Sequence, residues 1–155
     1  MQYLALIPAE GGTPVLLAPD LDRRVFNPKF SKDGTTILFG MMDRGERQLA
    51  SIPFSGGEIT RIVNQKVALS DYTPGKSLLY TLQGTATTSP EIFSWSAGDS
   101  QKLSAVNDSV MERVRMGTVE KVTFESKDST PIEGFVIKPP GFDPAKKYPL
   151  ILLKN

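Results

Sequence analysis

A mainly β fold, a partial β-propeller followed by a separate hairpin, is predicted by three features of the sequence. The stretches YLALIPAEGGTPVLLA, QLASIPFSGGEITRIV and SPEIFSWSAGDSQKLS bring Gly12, Gly57 and Gly98 into register, roughly 45 and then 41 residues apart, the spacing of four-stranded propeller blades. A second register sets SKDGTTILFGM beside TPGKSLLYTL; it pairs Gly34 with Gly75, Ile37 with Leu78 and Phe39 with Tyr80, and returns the same period. Between the glycines lie short runs rich in Ile, Leu, Phe and Tyr, bounded by KDG, PGK and DRGER turns, as an array of short antiparallel strands requires.

Taken in order, residues 1–106 read as the partial propeller: a blade end over 1–18, a blade over 25–63 and another over 67–106. The repeat glycines supply the positive φ of tight hairpins and imply no phosphate loop. Ile37, Phe39, Ile52 and Phe54 are expected to be buried between blades, with Leu78, Tyr80, Phe93 and Trp95 in equivalent places and Met41 and Met42 filling gaps. Residues 107–155 change character. NDSVMERVRMG reads as a connector with a short helical turn, from which Val110, Val114 and Met116 pack inward. VEKVTFES then alternates, Val122 and Phe124 on one face and Lys121, Thr123 and Glu125 on the other, and IEGFVIK completes a β-hairpin. KPPGFDPAKKYP, with its prolines, is an extended connector, and Leu150 to Leu153 a fresh apolar strand. An open arc leaves blade edges unpaired. With the apolar run close to the last residue, this predicts a piece of a larger protein.

Composition narrows the chemistry. A chain of 155 residues can bury roughly 70% of the surface its unfolded form exposes. It carries 18 basic and 17 acidic side chains with no block of like charge, so neither nucleic acid nor a membrane surface is an expected partner. Cysteine and histidine are both absent, which removes disulfides and the usual zinc ligands; no metal and no cofactor is expected. MQYLALIPAEGG has neither the basic start nor the apolar length of a signal peptide.

On these residues the chain resembles the prolyl oligopeptidase family of serine peptidases, in its acylaminoacyl-peptidase and dipeptidyl-peptidase-like branches. The resemblance runs from TolB-like blade units of the form SKDGTTILFG…RQLASIPFSGGE, through the NDS connector, to VTFESKDSTPIEGFVIKPPGFDPAKKYPLILL. It implies that residues 107–155 hold the connector, hairpin and first strands of a truncated α/β-hydrolase domain. Two departures stand out. The hairpin turn has Asp128-Ser129 where the family has Asp-Gly, and a non-glycine at positive φ costs on the order of 1 kcal/mol. Asn155 stands at the first position of the HGGP-like loop near the oxyanion hole.

Acyl transfer in this family needs a G-x-S-x-G elbow, a histidine base and an acid that orients it. The sequence has no such elbow and no histidine, and no serine sits in a context that suits a Ser-Lys dyad. Asp20, Asp22 and Glu46 read as solvated loop charges, and Arg113 and Arg115 as solvated or structurally paired. No catalytic, cofactor-binding or metal residue is therefore expected here. The resemblance implies a fragment of a peptidase acting on short peptides, its propeller gating access and its partners being the remaining blades and the hydrolase domain. A non-catalytic propeller scaffold and an inactive homologue are the alternatives.

Overall fold

The computed structural model describes residues 3–63 and 65–153, so Asn155 lies outside the described residues. The chain divides into two compact units between Arg113 and Val114. The first opens with a small hairpin of β1 (Ala5–Leu6) and β2 (Val15–Leu16), in which Ala5 faces Leu16. Two four-stranded antiparallel meanders follow. One contains β3 (Arg24–Phe30), β4 (Thr36–Asp43), β5 (Glu46–Pro53) and β6 (Thr60–Val63). The other contains β7 (Ala68–Pro74), β8 (Leu79–Thr85), β9 (Thr88–Ser96) and β10 (Asp99–Lys102). A parallel bridge from Arg47 to Ala68 joins them. The mainly β, blade-like fold is the one expected, and 35–42 and 48–54 are strand wherever they are regular.

The core lies between layers, in two clusters. Ile37, Phe39, Met41, Ala50 and Ile52 pack with Leu4, Leu17 and Val25 on the side of the small hairpin. On the opposite side Leu38, Leu49 and Val63 meet Val67, Leu69, Tyr72 and Trp95 of the second meander. The first blade is thus buried on both faces, which is why β4 reads ILFGMM without clean alternation.

The second blade corrects part of the expected core. Ile37 pairs with Ile52, but Leu79, not Leu78, pairs with Trp95, so the counterpart of Ile37 is Leu79. A slip of one residue exchanges the faces of a strand. Leu79 and Thr81 accordingly turn to the first blade, whereas Leu78 and Tyr80 are exposed on the other face. On β9 the slip is two residues and the face survives: Trp95 is buried and Phe93 half-buried against the same cluster. The slip on β9 arises because the outer turn is six residues long after Pro53 but only Ala97-Gly98 in the second blade, and that on β8 because Gly75 of the inner turn stands four residues before Leu79 where Gly34 stands three before Ile37. Phe54, just past the end of β5, is half exposed and leans on Phe30 at 6.0 Å. Met42 is exposed although Met41 is buried: it lies on the face of Leu38 and Gly40 but pairs with Arg47 next to the hairpin tip, beyond the cluster that covers Leu38.

After β10 comes the short helix α1 (Asp108–Met111). Val110, Val114 and Met116 are exposed and not packed inward; a single helical turn offers no apolar stripe to bury. The second unit holds the hairpin of β11 (Thr118–Glu125) and β12 (Pro131–Lys138). Leu150 to Leu153 form no strand: they are 83–88% exposed and make no ladder, without which an extended segment is not part of a sheet.

The same five-residue turn occurs in both units. In SKDGT, Asp33 accepts hydrogen bonds from the Ser31 hydroxyl at 2.6 Å and the Thr35 amide at 3.1 Å. In SKDST, Asp128 accepts from the Ser126 hydroxyl and from the Thr130 amide at 3.2 Å. These bonds, the serine hydroxyl's foremost, hold both carboxyls below their ordinary pKa. Gly34 sits at φ 70° and Ser129 at φ 62°, so the serine carries the left-handed strain that the glycine avoids. Ser129→Gly is expected to stabilise the second hairpin by up to about 1 kcal/mol, read as slower amide exchange across β11 and β12. Faster exchange would show that the side chain contributes more than its backbone costs.

Candidate functional site

Bond-making by a serine requires a base at its hydroxyl. The serine hydroxyls with defined partners meet no strong base: Ser31, Ser126 and Ser104 donate to Asp33, Asp128 and Glu91, carboxylates held below their ordinary pKa and so poor proton acceptors, and Ser89 donates to the Met111 sulfur at 3.3 Å. Asp20 and Asp22 are exposed, and Glu46 accepts from Gln48 Nε2 at 3.1 Å on the β4–β5 tip. Arg113 and Arg115 are exposed. No cluster of three or more metal-ligating side chains occurs among the described residues.

Three polar constellations invisible in the sequence do form. At the β4–β5 tip Arg44-Gly45 makes a two-residue turn with both φ positive, and this places Asp43 between two arginines. Its Oδ1 accepts from Arg23 Nε at 2.8 Å and its Oδ2 faces Arg61 Nη2 at 2.7 Å, while Arg61 Nη1 donates to Gln48 Oε1 at 2.6 Å. Burial raises the Asp43 pKa, but hydrogen bonds and charge from Arg23 and Arg61 outweigh it, and the carboxyl stays ionised below its ordinary range.

The second constellation joins the blades. Tyr72 is 2% exposed, and its hydroxyl is shared between the carbonyls of Leu38, at 2.8 Å, and Asn27. Asp71 accepts from Asn27 Nδ2 at 2.8 Å and Lys29 Nζ at 3.1 Å, and the same ammonium lies 4.6 Å from the centre of the Tyr72 ring.

Glu91 makes the third. Its Oε1 accepts the Asn107 amide at 2.7 Å, and its Oε2 accepts the Val106 amide at 3.2 Å and the Ser104 hydroxyl. Asn107 Nδ2 also donates to the Pro90 carbonyl at 3.1 Å, and Lys102 pairs with Asp108 at 2.6 Å. One carboxylate therefore pins the segment leaving the second blade. Beside it opens a cleft of ≈ 520 Å³ whose lining includes Lys66, Gln83, Thr88, Glu91, Lys102 and Asp108. These groups can bind, but none pairs a nucleophile with a base.

The bonds to Glu91, from Ser104 first and then Asn107, hold its pKa below the ordinary value of about 4.3. A depressed folded pKa means that the tether is at full strength above the ordinary value and is lost as pH falls through the lower, folded one. Protection of the Val106 and Asn107 amides, their exchange measured against the intrinsic rate at the same pH, should therefore be lost only in that acid range. In Glu91→Gln that protection should already be weak at neutral pH and show no change on acidification. An unchanged pH profile in the variant would mean that another group holds the segment.

No family profile matches the chain. It is 30% identical over 148 residues to the dipeptidyl-peptidase 5 of Aspergillus fumigatus, a match covering 87% of this chain and 20% of that relative's length. Among solved structures, an acylaminoacyl peptidase in complex with Z-Gly-Gly-Phe-chloromethyl ketone superposes with TM-score 0.73 at 23% identity, over 90% of this chain and 21% of its own. The β-propeller domain of the Trilobed protease from Pyrococcus furiosus, described as having an open velcro topology, gives TM-score 0.56 at 24% identity, over 68% of this chain and 30% of its own.

Proposed function

Since the chain belongs to the prolyl oligopeptidase family, we propose that it is the part of a serine peptidase in which propeller blades lead into the catalytic domain. In this reading residues 1–106 are the propeller part, residues 107–155 begin the hydrolase part, and the enzyme cleaves short peptides whose entry the propeller limits. The observation that carries it is the match over 87% of the chain, which reaches through both units while spanning a fifth of the relative. The peptide inhibitor held by the acylaminoacyl peptidase neighbour supports a peptide as substrate. The serine hydroxyls within residues 1–155 that have defined partners are bonded to carboxylates or sulfur, and the sequence has no histidine, so nucleophile and base are assigned to other parts of the polypeptide.

The test uses the longer natural polypeptide containing these residues and one cleavable sequence in two forms, a free short peptide and a loop of a folded protein. Turnover of the free peptide alone is expected. Equal turnover of both would remove the gating role, and turnover of neither would remove the peptidase.

A further inference from the structure

The cleft beside Glu91 is lined at positions that the first blade fills with apolar core. In β4 and β5 the pairs Ile37–Ile52, Phe39–Ala50 and Met41–Gln48 follow one another on one face. The same positions of β8 and β9 hold Leu79–Trp95, Thr81–Phe93 and Gln83–Glu91. Thr81 and Gln83 thus replace the buried Phe39 and Met41, yet are themselves only 2% and 3% exposed. Buried polar groups cost stability unless they are paired, and places where a core breaks its own rule in this way mark functional sites. The Trp95 indole can only donate, so the Thr81 hydroxyl accepts from it at 2.9 Å and gives its single proton to Gln83 Oε1, also at 2.9 Å. That relay turns the amide nitrogen of Gln83 away from Thr81. Neither proton of Nε2 has a partner among the described residues, and no buried side-chain nitrogen or oxygen among them lacks one, so Nε2 is open to the cleft that Gln83 lines. Directly opposite, Glu91 takes donors from Ser104, Val106 and Asn107 and keeps about one of its roughly four lone-pair sites.

We infer that this cleft binds a neutral carboxamide, whether a peptide group or a small amide, whose carbonyl accepts from Gln83 Nε2 and whose N–H donates to the remaining site of Glu91. The apolar remainder of the ligand lies against Val67, Phe93 and Met111, which line the same space. A donor beside an acceptor suits an amide, because an amide presents both. A carboxylate would bring like charge to Glu91 and no N–H. An ammonium would satisfy Glu91 but leave Gln83 without an acceptor. Lys66 is exposed and Lys102 is held by Asp108, so neither supplies a buried charge for an acid. At ≈ 520 Å³ the cleft falls within the roughly 300–1,000 Å³ of small-ligand sites. The inference stands apart from the peptidase reading, because every residue it uses belongs to the first unit and none carries a catalytic role.

Side-chain amide NMR of the 155-residue chain tests it, with phenylpropanamide, phenylpropanoate and phenylpropylamine as probes that differ only in the polar end. The amide is expected to shift the Gln83 Nε2 and Trp95 indole signals saturably, and its ring to show Overhauser contacts to the Val67 and Met111 methyl groups. The acid and the amine should each bind more weakly by about tenfold or more. Gln83→Met keeps the length of the side chain but removes the donor, and should weaken the amide about tenfold, whereas Lys66→Ala should leave it unchanged. Should Gln83→Met fail to fold, the ranking of the three probes and the contacts to Val67 and Met111 in the parent chain decide. No saturable shift, equal affinity for all three probes, contacts elsewhere in the chain, or a folded Gln83→Met that binds as the parent does would each overturn the inference. A blocked tripeptide carrying the same phenyl group separates the two sources: tighter binding than phenylpropanamide assigns the site to a peptide chain, and weaker binding to a small amide.

Discussion

Tyr72→Ala is expected to destabilise the chain by about 3–5 kcal/mol, the range for deleting a buried aromatic side chain. That is a large part of the roughly 5–15 kcal/mol that keeps a domain folded. The ring fills the centre of the cluster between the blades, against Leu38, Leu49, Val63, Leu69 and Trp95, and its removal leaves a cavity where two layers meet. The hydroxyl contributes separately. Tyr72→Phe keeps the ring but takes the partner from the carbonyls of Leu38 and Asn27, a loss of about 1–3 kcal/mol when such groups stay buried. Burial, and then the neighbouring Asp71 carboxylate, push the phenol pKa well above its ordinary value, so it remains a donor into alkaline solution. A raised folded pKa means that this contribution is complete below about pH 10 and is lost as pH rises through the folded value. Trp95, the one tryptophan, sits in the same cluster, so its fluorescence during urea unfolding reports the interface directly. Tyr72→Phe as stable as the parent would show that the hydroxyl does not link the blades, and Tyr72→Ala within about 1 kcal/mol would show that the ring does not either.

The repeat was legible because its signal is local: Gly57 and Gly98 mark outer turns, and KDG marks an inner one. Strand existence followed from turn chemistry, and Ile37, Phe39, Ile52 and Trp95 were placed in the core. What failed was phase. Leu78 and Tyr80 were assigned to the wrong face because loop lengths differ between blades, and glycine spacing measures turns and loops together. The polar constellations were hidden for another reason. Asp43 meets Arg23 and Arg61, Tyr72 meets Asn27, and Glu91 meets Asn107 only after strands distant in sequence are laid side by side. Each looks like an ordinary surface or strand residue when read alone. Leu150 to Leu153 have the composition of a buried strand, but composition supplies no ladder partner. The sequence leaves the turn type at Asp128-Ser129 open, and the likeness of SKDST to SKDGT, with Ser129 at φ 62° where Gly34 has φ 70°, emerges only from the structure.

The central claim is that this chain belongs to a serine peptidase whose bond-making residues lie outside residues 1–155, and covalent labelling tests it most directly. A fluorophosphonate reacts only with a serine activated by a base. The 155-residue chain has no histidine and no nucleophile elbow, and its serine hydroxyls with defined partners meet only sulfur or carboxylates held below their ordinary pKa, which are poor bases. It is expected to take up no label and to hydrolyse no short peptide. The longer natural polypeptide is expected to gain both, an all-or-none difference, with the modified serine mapped by mass spectrometry outside residues 1–155. Stoichiometric labelling of a serine among residues 1–155 would contradict the account by placing the chemistry within the β-rich segment, and a folded longer polypeptide that takes no label would contradict it by removing the peptidase.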